Sequence, residues 1–288
     1  MHASAQENEP VLNILIKIAP DSSKTTLRSW IKEGRVTVDE QVVTRADHVV
    51  SKGQKVSINN RQHYVDRKLH ILYEDSHLVA IEKPEGLLSV ATTFEKQETA
   101  HSLLKKHYYP RKVQVVHRID QDTSGVMLFA LSDVGYKGLK ALFESHDIER
   151  SYCAIVEGDV VPTKGTWKSY VYEDANYVVH SSQNPEKGSV AITHYRVASV
   201  SPRYSRLILT LETGRKNQIR VHCQDCNHSI VGDKKYGSTI DPIKRLCLHA
   251  ASLAFTHPVT GKTLEFISPT PESFRKLVRD VEIETDYA

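Results

Sequence analysis

Residues 116–125 read Val-His-Arg-Ile-Asp-Gln-Asp-Thr-Ser-Gly and pack two carboxylates (Asp120, Asp122), a guanidinium (Arg118), an imidazole (His117) and two hydroxyls (Thr123, Ser124) into ten positions. Side chains of these types attack, hold charge and move protons. An aspartate partly shielded from water is a competent nucleophile once a cation keeps it ionised. The stretch runs directly into Val126-Met127-Leu128-Phe129-Ala130-Leu131, so it reads as a polar loop leading into a strand. Loops set against a rigid sheet are favoured places for chemistry. The same composition also suits an ordinary turn in which Asp, Thr and Ser cap one another's amides. Glycoside hydrolysis is a second chemistry open to an aspartate, but it needs two carboxylates set across the bond, and Asp122 lies only two residues from Asp120 on one loop.

The order His-Arg-Ile-Asp-x-x-Thr-Ser-Gly resembles the active-site signature of the RluA-type pseudouridine synthases, which isomerise chosen uridines in structured RNA. Further blocks agree with it. A strand at residues 78–81 ends at Lys83-Pro84-Glu85-Gly86, Arg150 stands two places before Tyr152, and Gly232-Asp233-x-x-Tyr236-Gly237 and His249-Ala250-x-x-Leu253-x-Phe255-x-His257-Pro258 follow. Thr213-Gly214-Arg215-Lys216-Asn217-Gln218-Ile219-Arg220-Val221-His222 matches the family's Thr-Gly-Arg-x-His-Gln-Ile-Arg-x-His except at Asn217, where His is usual. Asn is a good helix cap, so the turn is expected to survive. The resemblance covers nearly the whole chain.

That resemblance implies roles. Asp120 is the nucleophile, Arg220 the cation that favours its charged form, and Tyr152 the ring that stacks on uracil and a candidate base. Arg118 fills the space left by the flipped uridine, and Ile219 stands with it among the substrate-binding residues. The isomerisation adds, removes and oxidises nothing, so no cofactor and no metal are expected, in agreement with the absence of GxGxxG and GxxxxGK[ST] loops. The implied fold is α+β: a mixed, mainly antiparallel sheet with flanking helices, carrying the pseudouridine synthase fold, plus a small N-terminal α/β RNA-binding domain.

The elements that must position these residues are visible in the periodicity. Between residues 11 and 58, eight basic residues face five acidic ones, which accounts for the whole net charge of +3. Leu12, Leu15 and Ile16 repeat as a helix, and Ser22 or Ser23 caps a second helix running to about Glu33. On that helix Leu27, Trp30 and Ile31 share one arc, and Lys24, Arg28, Lys32 and Arg35 the arc beside it. A basic arc suits a solvated face equally well on charge alone. Residues 22–58, with the helix, Val36-Thr37-Val38, the turn Asp39-Glu40, Gln41-Val42-Val43 and a final strand from Gly53, resemble an S-four-type RNA-binding domain. Such a face contacts phosphates and sets register without reading sequence.

The domain reading is therefore 11–58 for this module, 59–69 as linker and 70–288 as catalytic domain. Within the last, a helix is expected over 133–146 with Tyr136, Leu139, Leu142 and Phe143 on its apolar side, antiparallel strands over 164–200, and a C-terminal helix over 272–280. Cys223 and Cys226, flanked by His222 and His228, raise a zinc site, but Ile219, Cys223 and Cys226 fall on one apolar stripe, where free cysteine behaves as a small hydrophobe. No apolar export core and no run of about 18 apolar residues occurs, so no membrane partner and a cytoplasmic, monomeric protein are expected. The expected partner is RNA, with large-subunit ribosomal RNA favoured over transfer RNA. A rival from another class is a non-catalytic RNA-binding or ribosome-assembly factor.

Overall fold

Short alternating segments and two amphipathic helices build the first part of the chain. The computed structural model describes residues 2–32, 34–39, 41–58, 63–65, 69–91 and 98–278, and the chain divides into two units, Met1–Tyr64 and Val65–Ala288. In the smaller unit, strands β1 (His2–Ser4), β2 (Glu9–Pro10), β3 (Val36–Val38), β4 (Gln41–Val42), β5 (Val49–Val50) and β6 (Lys55–Ile58) accompany helices α1 (Val11–Ile18) and α2 (Lys24–Lys32). The sheet runs β1-β6-β3-β4 with antiparallel neighbours, and β2 pairs with β5. Val11, Ile14, Leu15, Leu27, Ile31, Val36, Val38 and Val56 fill its core.

Local chemistry explains the ends of α2. Ser23 Oγ accepts the Thr26 N–H at 3.1 Å, so Ser23 is the capping serine. Gly34 takes φ +70, and the Arg35 N–H returns to the Trp30 carbonyl at 2.9 Å, closing the last turn. Arg35 therefore lies past the helix, and its guanidinium sits 4.5 Å over the Trp30 ring. The expected basic arc thus reduces, on α2 itself, to Lys24, Arg28 and Lys32, all exposed. The sheet also begins before residue 11, because β1 pairs with β6.

The larger unit continues from β7 (His63–Val65), which crosses the boundary, through β8 (Leu69–Glu74), β9 (Leu78–Lys83), α3 (Ala100–Tyr108), β10 (Gln114–Val115), β11 (Ser124–Ala130), α4 (Asp133–Glu144), β12 (Glu149–Glu157), β13 (Lys164–Glu173), β14 (Val179–Ser182), β15 (Ser189–Val200), β16 (Tyr204–Leu211), α5 (Gln218–Asp225), β17 (Leu248–Thr256), β18 (Thr263–Ile267) and α6 (Glu272–Leu277). One long sheet runs β14-β13-β15-β16-β12-β17-β11-β9-β8, with β10 on β11 and β18 on β17. Its pairs are antiparallel except β11 with β17, so the fold is α+β on a mixed, mainly antiparallel sheet.

Strand β11 is buried along its whole length. Met127 and Phe129 pack with Leu103 and Leu104 of α3, while Val126, Leu128 and Ala130 pack with Leu139 of α4 and Phe255 and Phe266. Burial of both faces is why this segment reads as a continuous apolar run rather than an alternation. Where β11 meets β17, Gly125 has φ +114 and a Cβ there would lie 2.1 Å from the Ala250 carbonyl oxygen. Only glycine fits that crossing.

Four expectations shift. Of the stretch read as linker, His63–Val65 is a strand and Leu69 opens β8, while residues 59–62 and 66–68 lie outside the described residues. Helix α4 ends at Glu144, and α6 ends at Leu277 because Val278 is extended at φ −134, ψ 111; residues 279 and 280 lie outside the described residues. Cys223 is fully buried as expected, but Cys226 lies past the end of α5 and is half-buried.

Two histidines are built into this fold as neutral rings. The His117 Nε2 accepts the Leu128 N–H at 2.9 Å, and His222 spends its ring nitrogens on Ser169 and Thr193, each at 2.9 Å. Burial pushes His117 down to about 3 and His222 down to about 4, from 6.5. Their folded values are depressed, so below pH 6.5 the unfolded chain takes up protons that the folded one refuses, and stability falls as the pH drops. Unfolding free energies from urea titrations should be flat above pH 7 and fall by on the order of 5 kcal/mol between pH 6.5 and 4, roughly half from each ring. The His117→Gln variant should show a shallower fall; an equal slope would exclude His117 as its source.

Candidate active site

The loop 117–123 is fixed from several sides before it presents Asp120. The Thr123 N–H closes a turn onto the Asp120 carbonyl at 3.2 Å. Ser89 Oγ brackets the Ile119 backbone, donating to its carbonyl at 2.6 Å and accepting its N–H at 3.3 Å. Lys83, fully buried at the end of β9, donates to the carbonyls of Pro84, Leu87 and Gln121 at 2.8, 2.7 and 2.8 Å. Burial pushes that ammonium down to about 7, against the pull of Asp122 and Asp120. The three carbonyls match its three hydrogens, which ties the Lys-Pro-Glu-Gly turn to the loop. Where the loop enters β11, Ser124 Oγ meets His249 Nδ1 at 2.8 Å and accepts from Arg245 at 2.8 Å.

Asp120 faces a cleft lined by Arg118, Ile119, Thr123, Tyr152, Leu211, Arg215, Asn217, Gln218, Ile219, Arg220 and Leu248. Each wall comes from a different element. Tyr152 stands on β12 at a bulge against β17, next to the crossing of β17 with β11. Burial first, and then the Asp120 charge, push its phenol up to about 12, so the hydroxyl is protonated at neutral pH. Ile219 is buried and Arg118 exposed.

Arg220, on α5, places Nη1 3.4 Å from Asp120 Oδ2. Its firmer partner is Asp233: Nε and Nη2 each donate at 2.7 Å to that carboxylate, whose side chain is 1% exposed. Burial works against the guanidinium, but the Asp233 pair and Asp120 hold it above its ordinary value. The Tyr236 ring lies 4.8 Å beneath Arg220. A permanent cation is therefore held beside Asp120.

The expected residues Arg118, Asp120, Tyr152, Ile219 and Arg220 thus share one cleft, while Lys24, Arg28, Lys32 and Arg35 belong to the smaller unit. One expectation fails. Asn217 takes the N-cap position of α5, but in the left-handed region at φ 52, ψ 19, and its side chain makes no capping bond. The amide points into the cleft instead: one of its two terminal atoms lies 2.7 and 3.0 Å from the Asp120 oxygens and the other 2.8 Å from the Tyr236 hydroxyl, and because a carboxylate only accepts, the first is assigned as the nitrogen. Gln218 Oε1 accepts the Arg215 N–H at 3.0 Å and closes the turn in its place.

Residues 77–225 match the family described as RNA pseudouridylate synthase. The chain belongs to that family. It is 31% identical over 277 residues to the Uncharacterized RNA pseudouridine synthase YhcT of Bacillus subtilis, spanning 92% of this chain and 91% of that one. It is 33% identical over 291 residues to the Ribosomal large subunit pseudouridine synthase D of Pseudomonas aeruginosa, spanning 91% and 88%. Among solved structures, Human RNA Pseudouridylate Synthase Domain Containing 1 shares the fold, with a TM-score of 0.62 at 21% identity over 74% of this chain and 89% of that one. The protein is an RNA pseudouridine synthase, an isomerase.

Three supports of this synthase's cleft, Lys83, Asp233 and Tyr236, carry no sequence signal of their own beyond standing in the matched Lys-Pro and Gly-Asp-x-x-Tyr-Gly blocks. Asp233 is the one whose loss should matter most. The Asp233→Ala variant leaves a guanidinium that is 11% exposed without its bidentate partner, which should cost about 3–5 kcal/mol in a denaturant titration and lower turnover as well. A loss below about 1 kcal/mol would show that Asp120 alone satisfies Arg220.

Proposed function

We propose that this synthase converts specific uridines of large-subunit ribosomal RNA to pseudouridine, with Asp120 as nucleophile. The reaction breaks the bond from ribose to uracil N1, turns the base and remakes the bond through carbon 5, whose hydrogen leaves as a proton while N1 takes one up. The observation that carries the reading is the convergence of Asp120, Arg220 and Tyr152 on one cleft from a loop, a helix and a strand far apart in sequence. Asp120 supplies the attacking carboxylate, and Arg220, itself held by Asp233, stands beside it as a fixed cation. The Tyr152 ring stacks on the uracil. Its phenol, protonated in the free enzyme, relays the carbon-5 proton once the base is bound. The uridine reaches the cleft by leaving its stack, at a cost of a few kcal/mol, roughly, and Arg118 at the exposed edge fills the gap.

The ribosomal assignment draws on the relatives named for the large ribosomal subunit. Residues 11–58 act as an S-four-type RNA-binding module, in which Lys24, Arg28 and Lys32, exposed at helical spacing beside the buried Leu27 and Ile31, meet phosphates.

Carbodiimide labelling and reverse transcription of total RNA, from cells carrying the wild type or Asp120→Asn, tests the substrate. Stops lost from large-subunit ribosomal RNA in the mutant are expected. Loss confined to transfer RNA would keep the chemistry and overturn the substrate; no lost stop would favour a binding factor.

A further inference from the structure

We infer that Asn217 is a positioning residue that aims the Asp120 carboxylate, an inference that rests on the reading of Asp120 as nucleophile. Asn217 is 8% exposed and does not cap the helix it precedes. Its amide is spent across the cleft. An ionised carboxylate only accepts, so the amide atom facing it is the nitrogen, 2.7 Å from Oδ2 and 3.0 Å from Oδ1. The other end of the amide agrees with this orientation. The Tyr236 hydroxyl accepts the Val179 N–H at 3.3 Å, which leaves its single hydrogen to donate to the Asn217 oxygen at 2.8 Å. A relay of three donors, Val179 N–H, Tyr236 O–H and Asn217 Nδ2–H, thus ends on Asp120.

Arg220 does not do this work. Two of its nitrogens are spent on Asp233 at 2.7 Å, and the third stands 3.4 Å from Asp120. The guanidinium contributes charge, and the amide contributes direction. Direction is needed because rotation about the bond to a carboxylate is soft, and Asp120 sits at a cleft with its side chain 23% exposed. A donor that reaches both oxygens stops that rotation and holds the attacking oxygen in place for the uridine. The backbone selects the residue type: at φ 52, ψ 19, asparagine is among the few side chains tolerated, and its short amide reaches Asp120 from there.

The test is the full-length Asn217→Gly variant, since glycine adopts the left-handed backbone without strain and removes only the amide. With RNA labelled at uridine carbon 5 and carrying the site mapped above, tritium release should show kcat lowered about 10- to 100-fold, the size of a lost hydrogen bond to a charged group, with KM within about threefold. Asn217→Asp, of the same shape but anionic, should lower kcat further. Wild-type kcat in Asn217→Gly would overturn the inference, as would a KM rise at constant kcat, which marks a substrate contact. Asp120→Asn in the same assay separates the two readings. If it is inactive while Asn217→Gly is normal, only the role of Asn217 fails; if it turns over like the wild type, the nucleophile assignment fails.

Discussion

Replacing Asp120 by Asn is expected to lower pseudouridine formation by about 10⁴-fold or more while leaving the melting temperature within a few degrees of the wild type. The two halves of this expectation come from different parts of the geometry. Activity falls because the amide that replaces the carboxylate is a poor nucleophile. Stability survives because Asn has the same shape and because Arg220 keeps its two bonds to Asp233. The pair with Asp120, at 3.4 Å and part-exposed, is worth at most about 1 kcal/mol. Tritium release under single-turnover conditions and a thermal melt check the two halves on one sample. A variant that loses activity and unfolds together would make Asp120 a structural residue.

The Gly125→Ala variant should fail in the opposite way, through the fold. Glycine here has φ +114, and the added Cβ would stand 2.1 Å from the oxygen and 2.7 Å from the carbon of the Ala250 carbonyl. Neither is the end of a flexible side chain, so β11 and β17 must part at Gly125↔Ala250, where their parallel pairing sits. Separating them opens the doubly buried strand that carries Asp120 into the sheet, and a cost above about 4 kcal/mol is expected, with loss of soluble protein. Gly53→Ala is the control, since its φ of +89 carries similar backbone strain with nothing within 4 Å; it should cost about 1 kcal/mol. Equal urea midpoints for the two variants would show that the crossing relaxes.

How much of this was legible in the sequence differs between parts. The strands at residues 78–83, 124–130, 149–157 and 204–211 were legible because their burial leaves an alternating or wholly apolar run. Helix α3 was not: its capping box pairs Thr99 with Ser102 instead of Glu or Gln, and its apolar positions are few. Strand β1 was invisible because three residues, His-Ala-Ser, carry no period, and only pairing with β6 makes them a strand. At the site, the motif residues Asp120, Tyr152 and Arg220 could be named in advance because resemblance orders them, but their supports could not. Asp233 acts through a contact thirteen residues away from Arg220, and nothing in its neighbours announces a buried carboxylate. Asn217 was read as a cap from its residue type, and the misreading has a single cause. Capping needs an extended backbone, the structure gives it a left-handed one, and that turns the side chain from the helix to the cleft.

The most direct measurement is a nucleoside balance with purified protein. Unmodified large-subunit ribosomal RNA transcript is incubated with wild type or Asp120→Asn, digested to nucleosides, and assayed by mass spectrometry for uridine, pseudouridine and free uracil. Pseudouridine should appear in step with uridine lost, with no free uracil, and only with the wild type. Free uracil in place of pseudouridine would mean that the cleft hydrolyses the glycosidic bond, and equal pseudouridine from Asp120→Asn would contradict the role given to Asp120.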